Sequence, residues 1–266
     1  MPASEPTILA TSGGLRTSQR IRVAFDALVH YAVDLSGVNG RRPKIMYVGT
    51  AIGDAEFYAF RMMEAGRVDG FDVTALQLFP MPNLEDVAGA VLQSDVVWVM
   101  GGSVANLLAV WRVHELDRIL RDAWESGVVL SGVSAGSICW YTGGTTDSFG
   151  PELRAVTNGL GFLPYGNGVH YNSEERRRPL VHELVGNGTL PTTHCTDDGV
   201  GLVYRGTELA EVVSEVDGNA AYIVERARAR ADDDDDDGDG DGAGAGAGDA
   251  AVVEHRLEPR RLPTRA

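Results

Sequence analysis

The chain has 266 residues, 44% of them apolar, and a formal net charge of −15. That length supports a full hydrophobic core, and no apolar run reaches the ~20 residues of a membrane helix. The acidic balance argues against a nucleic-acid surface. The two cysteines, Cys139 and Cys195, are too few for a disulfide framework and have no metal-ligand spacing. The first residues, MPASEPTILATSGG, lack the basic and apolar regions of a signal peptide, so a cytoplasmic location is expected.

Residues 7–11 read as a short apolar strand ending at Gly13-Gly14. Ile21, Phe25, Leu28, Val29 and Ala32 recur at helical spacing and predict a helix over 17–34. Residues 44–48 form a second strand, 49–54 a loop, 55–66 a helix closed by Gly66, and 71–79 a third strand. Asn83, with Asp86 three residues on, predicts the start of a helix running to Gln93. Residues 95–100 are a fourth strand ending at Gly101-Gly102, 104–126 a helix, and 128–130 a fifth strand. Strands that alternate with helices and are continuously apolar predict an α/β fold, with a mostly parallel sheet covered by helices on both faces. Ligands in such sheets sit beyond the carboxyl ends of the strands. Gly13-Gly14, the 49–53 loop, Gly101-Gly102 and Ser134 all fall there.

After Ser137 the chain turns to glycine-rich turns and short strands, at 201–204, 209–216 and 220–225. Residues 232–249 hold nine aspartates, no basic residue and no bulky apolar one. Such a segment repels itself and has nothing to bury, so 231–249 is expected to be a disordered acidic loop. Residues 250–257 alternate like another strand, which places the loop inside a terminal β-hairpin of a single domain spanning 1–266.

The stretch that carries chemistry is Val128 to Tyr141, VVLSGVSAGSICWY, where Ser134 occupies the centre of a G-x-S-x-G pattern. A strand turning sharply into a helix strains the central residue and lifts its hydroxyl to the rim of the sheet. Small neighbours at i−2 and i+2 prevent a clash there. Cys139, just inside the following helix, is expected to be a buried apolar residue. A serine needs a base and an oxyanion site. His170, His182 and His194 are the candidate bases, and Asp198, Asp197 and Asp147 the candidate acids. His170 is favoured by its glycine-rich loop, Gly166-Asn167-Gly168-Val169-His170, and by the arginines behind it.

Gly101-Gly102-Ser103 with Asn106, Ser134 in GVSAGS, His170 in NGVHY, and Asp198-Gly199, in this order, resemble peptidase E, the aspartyl dipeptidases of serine peptidase family S51. Cyanophycinases are similar relatives. The resemblance spans roughly residues 5–225 and implies a sandwich like the class I glutamine amidotransferases, with a Ser-His-Glu triad in that chain order. It implies Ser134 as nucleophile and His170 as base, and it puts Asp198, one methylene shorter, at the glutamate's position. It further implies an oxyanion hole from the Gly102 and Ala135 N–H groups. Substrate contacts are expected at Ser103, where the family often has asparagine, at Asn106, and at Arg177 among Arg176-Arg177-Arg178. The expected substrate is a small peptide with an N-terminal aspartate, whose carboxylate pairs with a guanidinium. An isoaspartyl hydrolase, an esterase and a non-catalytic binding module are the competing readings. No cofactor or metal is expected, and no nucleic-acid or membrane partner. A homodimer is compatible with the reading.

Overall fold

The computed structural model describes residues 3–227 and 250–264. In chain order the elements begin β1 (Thr7–Thr11), β2 (Leu15–Arg16), β3 (Ala24–Phe25), α1 (Ala27–Ser36), β4 (Lys44–Val48), α2 (Glu56–Asp69) and β5 (Asp72–Leu76). They continue with α3 (Val87–Leu92), β6 (Val96–Val99), α4 (Val104–Val113), α5 (Leu116–Glu125), β7 (Val129–Val133) and α6 (Ala135–Ile138). The second half holds β8 (Tyr141–Thr146), β9 (Arg154–Val156), β10 (Leu163–Gly168), α7 (Arg177–Gly186), β11 (Thr193–Thr196) and β12 (Val200–Arg205). It closes with β13 (Glu208–Ser214), β14 (Ala221–Arg226), β15 (Val252–Leu257) and β16 (Arg260–Arg261).

Two sheets organise the molecule. The first has eight strands in the order β16-β13-β12-β1-β7-β6-β4-β5. Its β1-β7-β6-β4-β5 half is parallel, and β12 joins β1 antiparallel. Alternate side chains serve opposite faces, as a pleated strand requires. Leu9, Ile45 and Trp98 pack under α1 and α2, whereas Ile8, Met46 and Val97 face a core shared with α3 to α6 and the second sheet. The second sheet has six strands, β15-β14-β11-β10-β8-β9. The α/β sandwich expected from the sequence is therefore present, with the second sheet taking part of one face.

Local details differ from the sequence reading where a polar side chain decides an end. Residues 17–26 are not helical: Ala24 and Phe25 pair with β2, and the Asp26 carboxylate accepts the Ala27 N–H at 2.8 Å, so α1 starts there. Asn83 does not cap a helix. Its side chain accepts the Gln77 N–H and donates to the Ala75 carbonyl, finishing the open edge of β5, while Asp86 caps α3. The predicted helix 104–126 is two helices, broken at Glu115, whose φ of 53° is left-handed.

At the far end β14 and β15 pair antiparallel, Ala221 with Leu257 through Arg226 with Val252. The strands of the expected hairpin are thus paired; the acidic loop at 231–249 lies outside the described residues. No helix among the described residues is long and apolar enough to cross a membrane.

Candidate active site

The nucleophile elbow is built from backbone crowding. Ser134 follows β7 with φ 58° and ψ −113°, a conformation that L-residues avoid. A Cβ on Gly136 would lie 2.2 Å from the Val99 carbonyl oxygen, and one on Gly132 would lie 2.6 Å from that same oxygen. The two glycines of the motif therefore let the turn sit directly on the end of β6. The Ser134 N–H donates to the Thr11 carbonyl at 3.1 Å, which hangs the strained residue on β1.

Gly101 and Gly102 leave β6 and close on the elbow. A Cβ on Gly101 would lie 3.6 Å from Ser134 Oγ, and one on Gly102, at φ 138°, would lie 2.4 Å from the Ala51 carbonyl oxygen. Ser103 N donates to that same carbonyl at 2.8 Å, which fixes the Gly102 peptide. The Ser103 hydroxyl oxygen accepts the Asn106 N–H at 3.2 Å and caps α4. Ser103 is thus engaged in holding the helix, and Asn106 sits exposed one turn on. Among the described residues no protein acceptor takes the Gly102 or the Ala135 N–H. Ala135 opens α6, where the first amides have no intrahelical partner.

The imidazole comes from the second sheet. β10 and β11 run parallel, with Asn167 beside His194 and Gly168 beside Cys195, so their carboxyl ends release His170 and Asp198 side by side. His170 Nδ1 lies 2.6 Å from Asp198 Oδ1. The shorter acid reaches the ring because its turn is held tightly. The Asp198 N–H donates to Asn172 Oδ1 at 3.0 Å, and Asn219 Nδ2 donates to the Asp198 carbonyl at 2.7 Å. With Nδ1 committed to the carboxylate, Nε2 is the nitrogen left to take a proton. No hydrogen bond joins the ring to Ser134 Oγ; such contacts often tighten only when substrate binds.

The other candidates have structural employment. His194 is buried, and its Nδ1 lies 2.6 Å from the Tyr204 hydroxyl. Burial holds its pKa down at about 4, so it stays neutral. His182 pairs with Glu254 at 2.9 Å. Asp197 is buried and accepts the Ala220 N–H at 2.9 Å and the Tyr222 hydroxyl at 3.3 Å; burial raises its pKa. Asp147 makes no hydrogen bond to a histidine among the described residues; its charge acts on Arg177. Cys139 is buried, and burial pushes its thiol well up.

The three consecutive arginines are not equivalent. Arg176 pairs with Glu174 at 3.5 Å, and Arg178 pairs with Glu254 at 3.5 Å while covering the rings of Tyr171 and Tyr222. Arg177 is only 5% exposed and donates from Nη1 to the Thr145 carbonyl at 2.5 Å and to its hydroxyl at 3.1 Å. Its buried Nε has no acceptor, and no carboxylate lies in ion-pair range of it among the described residues. Burial lowers its pKa, opposed by the charges of Glu174, Asp147 and Asp198.

The sequence profile of peptidase family S51 matches residues 8–212, most of the chain, and that span includes Gly102, Ser134, His170, Arg177 and Asp198. The chain belongs to peptidase family S51. A curated relative in that setting is the uncharacterized peptidase YgaJ of Bacillus subtilis (strain 168), 36% identical over 220 residues, which cover 83% of this chain and 92% of the relative. Two solved structures share the S51 chain's fold. A peptidase from an acI-B1 Actinobacterium aligns with a TM-score of 0.63 at 18% identity, over 84% of this chain and 92% of that one. A putative peptidase E protein from Listeria monocytogenes EGD-e aligns with a TM-score of 0.56 at 16% identity, over 78% of this chain and 98% of that one. This S51 member is accordingly a serine-type peptidase with the peptidase E fold.

Sequence reasoning passed over Ser12, Asn172 and Asn219, each of which hydrogen-bonds His170 or Asp198, and Thr196, whose hydroxyl bonds Ser12. The one available signal was the position of Ser12 immediately after the first strand, at the carboxyl edge where such sheets bind ligands.

Proposed function

We propose that the chain is an exopeptidase that removes N-terminal aspartate from dipeptides or short peptides through an acyl-enzyme. In this reading Ser134 Oγ attacks the carbonyl carbon of the scissile bond. His170 Nε2 takes the hydroxyl proton and then delivers it to the leaving amine as the C–N bond breaks. Asp198 holds the ring with Nε2 free and stabilises the imidazolium. The Gly102 and Ala135 N–H groups receive the oxyanion, each worth on the order of 3 kcal/mol in the transition state. A water molecule, deprotonated by His170, then hydrolyses the ester. Ser103 and Asn106, at the start of α4, border the substrate, and the location is the cytoplasm.

The observation that carries the specificity is the lone state of Arg177. A buried guanidinium without a carboxylate is unstable relative to a paired one. The side-chain carboxylate of an N-terminal aspartate is a suitable partner, and its neighbours Arg176 and Arg178 are already neutralised. The test is hydrolysis of Asp-X against Asn-X dipeptides, with β-Asp-X as a third series. The expected preference for Asp-X over Asn-X in kcat/KM is roughly 100-fold, lost in Arg177→Gln. Equal turnover of Asp-X and Asn-X would remove the aspartyl assignment, and faster turnover of β-Asp-X would move the substrate to isoaspartyl peptides.

A further inference from the structure

Ser134 and His170 belong to different sheets. Ser134 follows β7 of the eight-stranded sheet, and His170 follows β10 of the six-stranded one. Their separation therefore depends on how the two sheets are registered, which neither the elbow nor the His170–Asp198 bond controls. The end of β1 meets the end of β11 at this point. Ser12 Oγ lies 2.7 Å from Thr196 Oγ1 and also donates to the Thr196 carbonyl at 3.3 Å. Both residues are buried, Ser12 at 4% exposure and Thr196 at 1%. Ser12 Oγ in addition accepts the N–H of His170 at 3.1 Å. One proton arrangement satisfies all three contacts: the Ser12 hydrogen goes to the Thr196 carbonyl, and the oxygen accepts from the Thr196 hydroxyl and from His170.

The adjoining backbone reaches the other members of the site. Thr11 O receives the Ser134 N–H at 3.1 Å, and Ser12 O receives the N–H of Gly199, next to Asp198, at 2.9 Å. Thr196 O receives the N–H of Tyr171, next to His170, at 3.0 Å. His170 itself has φ 53°, so its backbone is strained and must be held.

We infer that Ser12, through its hydroxyl pair with Thr196, is a positioning residue that pins the two sheets in register and holds His170 at working distance from Ser134. The inference rests on the Ser134–His170–Asp198 reading. It predicts a defect in chemistry and not in binding, because Ser12 is buried and acts only through His170. Misplacing a catalytic group by about 1 Å costs on the order of 100-fold in rate.

The experiment measures two rates in full-length protein. One is kcat and KM on an Asp-X dipeptide. The other is covalent labelling by a fluorophosphonate, in which Ser134 Oγ bonds to phosphorus, fluoride leaves and His170 takes the proton; this needs no knowledge of the natural substrate. Ser12→Ala is expected to lower kcat and labelling by roughly 10- to 100-fold with KM within about twofold. Thr196→Val is expected to lose less, Thr196→Ser to restore most of the rate, and Ser12→Ala/Thr196→Val to be no slower than Ser12→Ala alone. Wild-type labelling in Ser12→Ala, or equal losses in Thr196→Val and Thr196→Ser, overturns the inference. Thr196→Ser keeps the hydroxyl, so the Thr196 pair tests the idea even if Ser12→Ala folds poorly. Undiminished labelling of Ser134→Ala would instead overturn the triad reading beneath it.

Discussion

Ser134 and His170 both have a positive φ, 58° and 53°, and they are supported in different ways. The elbow is admitted by its own glycines, and its amide hangs on β1 through the Thr11 carbonyl. Gly132 and Gly136 are two residues to either side, and both press on the Val99 carbonyl at the end of the adjacent strand. His170 is supported from a distance, by Ser12 some 158 residues earlier and by Asp198 28 residues later. The Ser134 turn thus takes its shape from a short motif set against neighbouring strands, and the His170–Asp198 pair is a product of assembly. Substitutions at the elbow should act on Ser134 directly, whereas those around His170 should act through the geometry between sheets.

The sharpest contrast comes from removing the nucleophile. Ser134→Ala should lower hydrolysis by about 10⁵-fold, read as steady-state kcat, with the fold intact by circular dichroism. Next in size, Asp198→Asn should lower kcat by roughly 10³- to 10⁴-fold because the ring loses its orienting anion. Asp197→Asn, one residue away, should leave kcat within about threefold and lower Tm, since its carboxylate binds Ala220 and Tyr222 and not the ring. A larger kinetic effect from Asp197 than from Asp198 would exchange their roles. Gly102→Ala should cost roughly 10²- to 10³-fold in kcat, because its Cβ meets the Ala51 carbonyl and turns the peptide that aims its N–H.

The smallest expected effect is on stability against pH, and it separates the sheets again. His194, between strands of the second sheet, is kept neutral by burial with a pKa of about 4. The unfolded chain takes up this proton first, so its contribution is present above pH ~6.5 and is lost as pH falls toward about 4. Glu215 follows β13 of the first sheet, where its carboxylate accepts the Gly14 N–H at 2.6 Å and the Leu28 N–H at 3.0 Å. Burial raises its pKa to about 7. Its contribution has the opposite sign: present below pH ~4.5, and lost as pH rises through about 7. Tm measured from pH 4 to 8 should lose its acid-side fall in His194→Phe and its rise-of-pH penalty in Glu215→Gln. Parallel pH curves for these variants and the wild type would remove both assignments.

Much of this was legible from residue order. Continuous apolar runs such as Val96–Val99 gave away buried parallel strands, and the G-x-S-x-G spacing located Ser134, because both patterns have short-range causes. His170 and Asp198 could be named through resemblance to a family, but residues alone left three histidines and three aspartates open. What separated them was burial and pairing: His194 against Tyr204, His182 against Glu254, Asp197 against Ala220. The longer helix expected at 17–34 failed because one carboxylate, Asp26, decides where the free amides are first satisfied.

By itself, the order of residues determined the class of fold and the strained serine, since strand periodicity and a glycine-flanked turn depend on neighbours a few positions away. Only the tertiary structure decided which histidine meets which aspartate beyond the carboxyl ends of β10 and β11, and which of the three consecutive arginines lacks a carboxylate. Those choices are made by hydrogen bonds and burial between segments far apart in the chain, and no local pattern encodes which distant groups will be brought to contact.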